Sequence, residues 1–235
     1  MNKNLPRDEL EFVEGDMPFS KRFGDHFYSR HDGRLESEHV FLHGNNLPAR
    51  WSQAGNFTIG ELGFGTGLNF LETWRQWKLY RRADAHLHFV SFEAYPMESA
   101  AMRRAVGAWD QIVKESEALA AQWSELSVVP TPWTMDAQTT LTVIVADAYD
   151  GMNDWQGSAD AWFLDGFSPA RNPAMWSLEL MTQLAARTNH GGTFASYTAA
   201  GWVRRNLAAA GFTVHKKRGF AGKRDMTCGV KTRLV

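Results

Sequence analysis

The stretch Glu61-Leu62-Gly63-Phe64-Gly65-Thr66-Gly67-Leu68-Asn69 sets three glycines at alternate positions, with an acid two residues before the first. Glycine accepts positive φ and lets a ligand approach the backbone closely, so such a loop can cradle a small molecule. The dinucleotide fingerprint is G-x-G-x-x-G, with a pyrophosphate at a helix N-terminus, and the spacing here differs from it. No G-x-x-x-x-G-K-[ST] phosphate loop occurs either. An acid at the head of the loop suits a cationic or amine-bearing ligand better than a pyrophosphate. S-adenosylmethionine (SAM) is such a ligand, with an ammonium, a sulfonium and two ribose hydroxyls. Taken alone, the glycines also read as a structural turn.

Two further acids follow short apolar runs. Glu93 comes directly after Phe92, where a carboxylate can accept hydrogen bonds from a ribose diol. Asp147, between Ala146 and Ala148, is placed to accept from an adenine amino group. Either acid alone reads equally well as a helix N-cap. Acids after three successive strands point instead to a nucleoside. The expected cofactor residues are therefore Glu61, Gly63, Phe64, Gly65, Thr66, Gly67, Asn69, Glu93, Asp147 and Ala148.

A fourth run ends in Asp165-Gly166-Phe167-Ser168-Pro169. An acceptor followed by an aromatic and a proline resembles the Asp/Asn-Pro-Pro-aromatic loop of amino-group methyltransferases. Methyl transfer from sulfonium to nitrogen is an in-line displacement, so the amine must be held with its lone pair aimed. A carboxylate beside the amine orients it and offsets the charge that stays on nitrogen. Asp165 is the expected catalytic acceptor, and Phe167 or Trp176 could add cation–π attraction of roughly 0.5–2 kcal/mol. The competing reading is an Asp-Gly turn at a strand end. Gly166, Phe167, Pro169 and Trp176 are the expected substrate-pocket residues on this side.

Other chemistry is poorly supported. His86 and His88 share a strand face but lack an obvious third metal ligand. There is no G-x-S-x-G nucleophile elbow, and Cys228 is the sole cysteine, lying in an expected strand. It allows no intramolecular disulfide, and a reducing cytoplasm is the expected location. No metal is expected.

The elements that must position these residues alternate in type. Apolar runs at Phe57–Ile59, Leu87–Phe92, Leu141–Val145, Ala161–Leu164 and Thr193–Tyr197 read as strands, the last opened by a turn at Gly191-Gly192. Helical spacing marks Leu68–Tyr80, two helices within Met97–Trp123, Leu178–Thr188 and Ala200–Ala210. Gly211–Val214 and Asp225–Val230 read as a closing strand pair. This alternation predicts a doubly wound, mostly parallel seven-stranded α/β sheet with ligands outside the strand carboxyl ends. Residues 1–52, with aromatic pairs such as Phe27-Tyr28, are expected as a small irregular or β extension, a lid packed on the core. Residues 53–235 are expected as one globular domain.

The 235 residues, 44% hydrophobic, suffice for one sizeable core. The first residues lack the apolar stretch of a secretory signal, and no run is long and apolar enough for a membrane span. The ten tryptophans read as core and anchor residues rather than as base-stacking platforms. Net charge is -1, which argues against a uniformly basic nucleic-acid binder. Its distribution is uneven, because nine of the 25 basic residues fall between Ala200 and Val235, with one acid, Asp225. Such a cationic end can attract a polyanion, although a solvated helix and strand face would look the same.

Together these motifs resemble the methyltransferase domain of the bifunctional tRNA 5-methylaminomethyl-2-thiouridine biosynthesis (MnmC) family. The resemblance rests on Phe23-Gly-Asp-His-Phe-Tyr-Ser29, Val40-Phe-Leu-His-Gly-Asn45, Gly63–Phe70, Trp162–Ala170 with Asn172-Pro173 and Trp176, and Lys223–Val230. These segments run in family order across nearly the whole chain. The Asp165–Trp176 segment is specific to this group, whereas the glycine loop is common to many SAM enzymes. The resemblance implies SAM-dependent N-methylation of an aminomethyl group on the wobble uridine of certain tRNAs. It puts Asp165 by the substrate amine, and Tyr28 and Asn45 in a segment that closes over the SAM site. It also implies that Arg204, Arg205, Lys217, Lys223 and Arg224 track tRNA phosphates, in contacts that weaken with salt. In the family's bifunctional members a flavin-dependent oxidase follows, for which this sequence shows no second glycine fingerprint. A fragment and a stand-alone methyltransferase are both compatible with that, and a monomer is expected. Three alternatives stay open: a SAM enzyme for a small amine or polyamine, a non-catalytic SAM- or tRNA-binding module, and a nicotinamide oxidoreductase.

Overall fold

The computed structural model describes residues 5–7 and 9–232; Arg233, one of the nine basic residues counted above, lies outside them. The N-terminal part is more ordered than its polar composition predicts. Strands β1 (Leu10–Val13), β2 (Met17–Ser20) and β3 (Asp25–His26) form an antiparallel sheet of their own. Helix α1 (Gly33–Ser37) follows, its start capped by Asp32, whose carboxylate accepts from the Leu35 N–H at 3.0 Å. It runs into a wider π-helical turn over Glu38–Leu42. Val40, Phe41, Leu42, Leu47 and Trp51 are buried in the same core as Ile59, Phe70 and Trp77. The extension is therefore seated on the body by apolar burial rather than merely tethered to it.

A buried ion network reinforces that seat. It involves α2 (Leu68–Tyr80), which follows β4 (Asn56–Leu62). Glu72 of α2 is fully buried and accepts from Arg34 of α1 at 3.1 Å and from Arg75 at 2.7 Å and 2.9 Å. A buried carboxylate is tolerable only when paired, so α1 and α2 depend on one another here.

The chain continues through β5 (His86–Phe92), α3 (Ser99–Val106), α4 (Val113–Gln122), β6 (Trp133–Asp136), β7 (Thr139–Ile144), α5 (Ala148–Asp154), β8 (Ala159–Leu164), α6 (Leu178–Ala186), β9 (Thr188–Ser196), α7 (Gly201–Ala209), β10 (Phe212–Lys217) and β11 (Met226–Lys231). The main sheet has the order β10-β11-β9-β8-β4-β5-β7-β6. β4, β5, β7, β8 and β9 are mutually parallel, and β11 lies antiparallel between β9 and β10. From β4 the chain builds outward through β5 and β7, then returns to β8 on the other flank. The order thus reverses between β4 and β8, where helices leave in opposite directions and a crevice opens at the strand ends.

Side chains alternate across this sheet. Ala161 and Phe163 of β8 belong to one core, with Phe41, Ile59 and Phe89. Trp162 and Leu164 belong to the other, with Phe92, Trp176 and Leu184. Gly60 is required by that packing, since a Cβ there would come within 2.3 Å of the Trp162 ring.

Three departures from expectation have local causes. The sheet has eight strands rather than seven, because the Asp136 carboxylate accepts from the Gln138 N–H at 2.7 Å and turns β6 back along β7. The turn also lets Trp133 bury. The Gly191-Gly192 pair does not open β9 but lies inside it, beside a register shift against β8 between Ala159 and Ala161. Two glycines absorb such a bulge without side-chain strain. Helix α5 is concealed by its acidic and glycine-containing sequence. Gly151 is needed there, since a Cβ would lie 2.9 Å from Phe92.

Candidate active site

The glycine loop links β4 to α2 at the reversal point. Gly63, Gly65 and Gly67 all take positive φ, at +83°, +53° and +76°, the conformation that an L side chain resists. The Gly63 N–H donates to the Phe92 carbonyl at 2.9 Å, continuing the β4–β5 ladder into the loop. Phe64 stacks on Trp123 with ring centroids 5.0 Å apart, which pins the loop from outside. A Cβ on Gly63 would lie 3.4 Å from Gly166 Cα, and one on Gly65 would lie 3.1 Å from the Phe27 ring. Four other chain segments, at Phe27, Phe92, Trp123 and Gly166, therefore meet at this loop.

The acids around it are arranged unequally. Glu61, at the end of β4, is fully buried, with one carboxylate oxygen accepting from the Ser91 hydroxyl at 2.7 Å. Its other oxygen, Oε1, is buried without a hydrogen-bond partner. Burial holds the Glu61 carboxyl well above the usual carboxylate range; repulsion from Asp165 and Glu93 adds to this, while the Ser91 hydrogen bond opposes it. Glu93, just past β5, accepts from the Gly65 N–H at 2.8 Å and from the Tyr95 N–H at 2.7 Å. Asp147 caps α5 by accepting from the Tyr149 N–H at 2.9 Å. With Ala148 it lines a separate depression facing Met175 and Leu180, not the central cavity.

Asp165 stands at the end of β8, held from several sides. Asn69 of α2 donates to one oxygen at 2.7 Å, and the Gly166 N–H donates to the other at 2.9 Å. The loop behind it is fastened by three contacts. Trp176 Nε1 donates to the Phe167 carbonyl, the Tyr197 hydroxyl donates to the Gly166 carbonyl, and the Ser168 N–H donates to Asp25. Desolvation pushes the Asp165 carboxyl up to about 7; the charge of Glu36 adds to this, and the Asn69 and Gly166 hydrogen bonds and Lys223 oppose it. Asp165 thus changes charge near neutral pH, the range in which an acid–base group is most useful.

A cavity of about 330 Å³ lies over these groups, within the size range of small-molecule sites. Of the expected residues, Gly63, Phe64, Gly65, Thr66, Asn69, Glu93, Asp165, Gly166, Phe167, Tyr28 and Lys223 line it. Others serve it from outside the lining. Asn45 is buried and donates to the Phe41 and Trp162 carbonyls, so it clips the extension to β8. Trp176 is fully buried behind the Asp165 loop, and Pro169 does not line the cavity. Arg204 is half-buried, whereas Arg205, Lys217 and Arg224 are exposed outside the cavity.

Sequence reasoning missed the part of the cavity wall that packs against the Asp165 loop. Phe23, Asp25, Phe27 and Glu36 of the extension, and Tyr197 past β9, all line the cavity. Phe23 stacks on Phe167 at 4.5 Å, and Phe27 meets the same ring edge-on at 5.2 Å. The strand-end rule applied to Asp165 would also have picked out Tyr197. The extension residues carry no such positional signal.

The architecture and cavity can be compared with known proteins. A family model described as S-adenosyl-L-methionine-dependent methyltransferase matches residues 110–232, slightly more than half of the chain. The chain belongs to that family. This methyltransferase is also 44% identical over 232 residues to the tRNA 5-methylaminomethyl-2-thiouridine biosynthesis bifunctional protein MnmC of Chromohalobacter salexigens, covering 96% of this chain and 33% of the relative. It is 45% identical over 226 residues to the MnmC protein of Methylobacillus flagellatus, covering 94% of this chain and 34% of the relative. The methyltransferase thus spans about a third of the length of the curated relatives it matches. A crystal structure of MNMC2 from Aquifex aeolicus superposes with a TM-score of 0.78 at 22% identity, covering all of this chain and 73% of that one, and supports the fold.

The residues present fit the SAM that the family requires. The glycine backbone leaves room that a Cβ at Gly65 would take from Phe27. Glu61 Oε1 supplies a buried, unpartnered acceptor, and Glu93 supplies a carboxylate at the next strand end. Acceptors and carboxylates, with no lysine or arginine in the loop itself, match a cationic ligand.

Proposed function

We propose that this methyltransferase N-methylates the aminomethyl group at position 5 of the wobble uridine in tRNA, converting aminomethyl-2-thiouridine to methylaminomethyl-2-thiouridine. The observation that carries the reading is Asp165, an acceptor-only carboxylate at the cavity wall when ionised, adjacent to the glycine loop and pinned by Asn69 and Gly166. The relatives' names support the tRNA substrate. Their greater length, and the word bifunctional, support a partner activity, read here as a flavin-dependent oxidase that supplies the amine. The cytoplasm, where tRNA is modified, is the compartment that follows from this reading.

SAM, when bound, supplies a methyl group on a sulfonium that a nitrogen lone pair can displace in line. Glu61, Gly63, Phe64, Gly65, Thr66, Gly67, Asn69 and Glu93 are the residues proposed to hold it, whereas Asp147 and Ala148, in their separate depression, are left out of that set. Asp165 accepts a hydrogen bond from the substrate amine and aims it. An aliphatic amine is largely protonated at neutral pH, so one proton must leave before the lone pair is free. Asp165, titrating near 7, is suited to take that proton; once it has passed the proton to solvent, its carboxylate can balance the charge left on the methylated nitrogen. Phe23, Phe27 and Phe167 wall the site and exclude water, which strengthens every charge interaction inside it. Tyr28 donates its hydroxyl to the Ala105 carbonyl at 2.6 Å, tying the extension to α3.

A small-amine substrate is the second reading, favoured by the net charge of -1. Incubation with methyl-labelled SAM separates the two. The tRNA reading expects label in the wobble nucleoside of hypomodified tRNA after digestion; label in free amines and none in tRNA would overturn it.

A further inference from the structure

One group at the cavity wall has no part in the chemistry described so far. Glu36 lies in α1, between the Phe23–Ser29 and Val40–Asn45 segments but in neither, and it lines the same cavity as Asp165. Its residue exposure is only 8%. One carboxylate oxygen accepts from the Ser29 N–H at 2.9 Å, which fixes the side chain. The other is held by the Lys223 ammonium at 2.8 Å. Lys223 comes from the loop between β10 and β11, and its nitrogen lies 5.2 Å over the Tyr197 ring. Tyr197 cannot turn away, because its hydroxyl is bonded to the Gly166 carbonyl at 2.9 Å.

A primary ammonium is therefore already present in the cavity wall. It sits on a carboxylate and an aromatic face, beside the loop that carries Asp165. These are the surroundings that an aminomethyl cation itself requires: an acceptor-only carboxylate, a π-face and restricted water. The Lys223 side chain is 47% exposed, so it can swing outward, whereas Glu36, at 11% side-chain exposure, stays. Leaving Glu36 without a cation would cost free energy, so exchange of one ammonium for another is the favourable route.

We propose that Glu36 is a second carboxylate for the substrate's cationic amine, and that Lys223 is an internal stand-in which the substrate displaces. This rests on the amine-methylation reading above and adds a specificity determinant to it. Glu36 then selects cationic primary amines over neutral groups of the same size and brings them to Asp165. Lys223 is assigned to the cavity rather than to the tRNA backbone.

The test uses the full chain loaded with S-adenosylhomocysteine and titrated with 5-aminomethyluridine by calorimetry, followed by methyl-transfer kinetics with SAM. Glu36→Gln is expected to weaken binding of the amine and raise its KM about tenfold or more, with kcat changed less and S-adenosylhomocysteine affinity unchanged. Lys223→Met, which keeps the apolar stem, is expected to leave amine binding equal or tighter, because the competing cation is gone. Unchanged amine affinity in Glu36→Gln, or a loss in Lys223→Met matching that in Glu36→Gln, would overturn the proposal. So would wild-type protein that binds S-adenosylhomocysteine but not the amine. Wild-type protein that binds the amine through Glu36 yet methylates neither nucleoside nor tRNA would overturn the functional reading alone. Retained S-adenosylhomocysteine binding in each variant reports that it has folded.

Discussion

Asp165 gathers the electrostatic work of the site into one group. Its carboxyl is pushed up to about 7 by burial, with Asn69 and Gly166 holding it against further neutralisation. Asp165→Asn keeps the shape and removes the charge. It is expected to lower kcat about 100-fold, by analogy with other lost electrostatic stabilisers, while calorimetry shows SAM still binding. In the wild type, kcat/KM should climb with pH and level off above about 7, and the Asp165→Asn profile should lack that limb. A flat wild-type profile would count against Asp165 as the acid–base group. Stability carries the opposite slope. A carboxyl with a raised folded pKa lends stability that is full below the ordinary carboxylate range and is lost as pH rises through about 7. Denaturant unfolding between pH 5 and pH 8 should show a smaller decline in Asp165→Asn than in the wild type.

At the level of elements, two junctions hold the site together. The first is the turn from β4 into α2. Gly67 takes φ +76°, and a Cβ there would lie 3.0 Å from the Phe64 ring and 3.1 Å from Leu119. Gly67→Ala should cost about 1–2 kcal/mol from the left-handed backbone alone, and a thermal melt without cofactor reads it directly. A neutral result would mean that the loop relaxes freely. The second junction is the buried pairing of Glu72 with Arg34 and Arg75. Glu72→Ala leaves Arg34 largely buried with Glu38 as its remaining ion-pair partner, so the loss should fall below the about 3–5 kcal/mol of a buried charge left with no partner. Because Arg34 belongs to α1, the loss should also loosen the wall that carries Glu36, with amide exchange rising first in the extension.

For the molecule as a whole, the proposed tRNA substrate raises the question of how a chain of net charge -1 would meet a polyanion. Arg205, Lys217 and Arg224 are exposed outside the cavity, and Arg224 directly follows the cavity residue Lys223. If these side chains track phosphates, replacing each by Ala should weaken tRNA binding equally across sequences. Each lost contact should also flatten the plot of log affinity against log salt by about 0.9. Kinetics on the free nucleoside should not change. Equal damage to nucleoside and tRNA kinetics would place these residues in the fold instead. Among the described residues no helix is long and apolar enough to cross a membrane.

Local sequence was enough to set the strand-and-helix alternation, because an apolar run or a helical stripe records burial in the order of the residues. It was enough too for the glycine loop and for the place of Asp165 at a strand end, since positive φ demands glycine and a doubly wound sheet exposes whatever follows its strands. The turn that adds β6, the bulge at Gly191-Gly192 and the helix over Ala148–Asp154 depend on partners elsewhere in the chain, so no short window reveals them. The same holds for the cavity's second wall. Ser29 and Glu36, Tyr197 and Lys223 come from three separate parts of the sequence and have no shared spacing. Only packing of the N-terminal segment onto the sheet converts them from scattered polar residues into one charged enclosure around the proposed amine site, because charge interactions depend on distance in space and on excluded water, and residue order records neither.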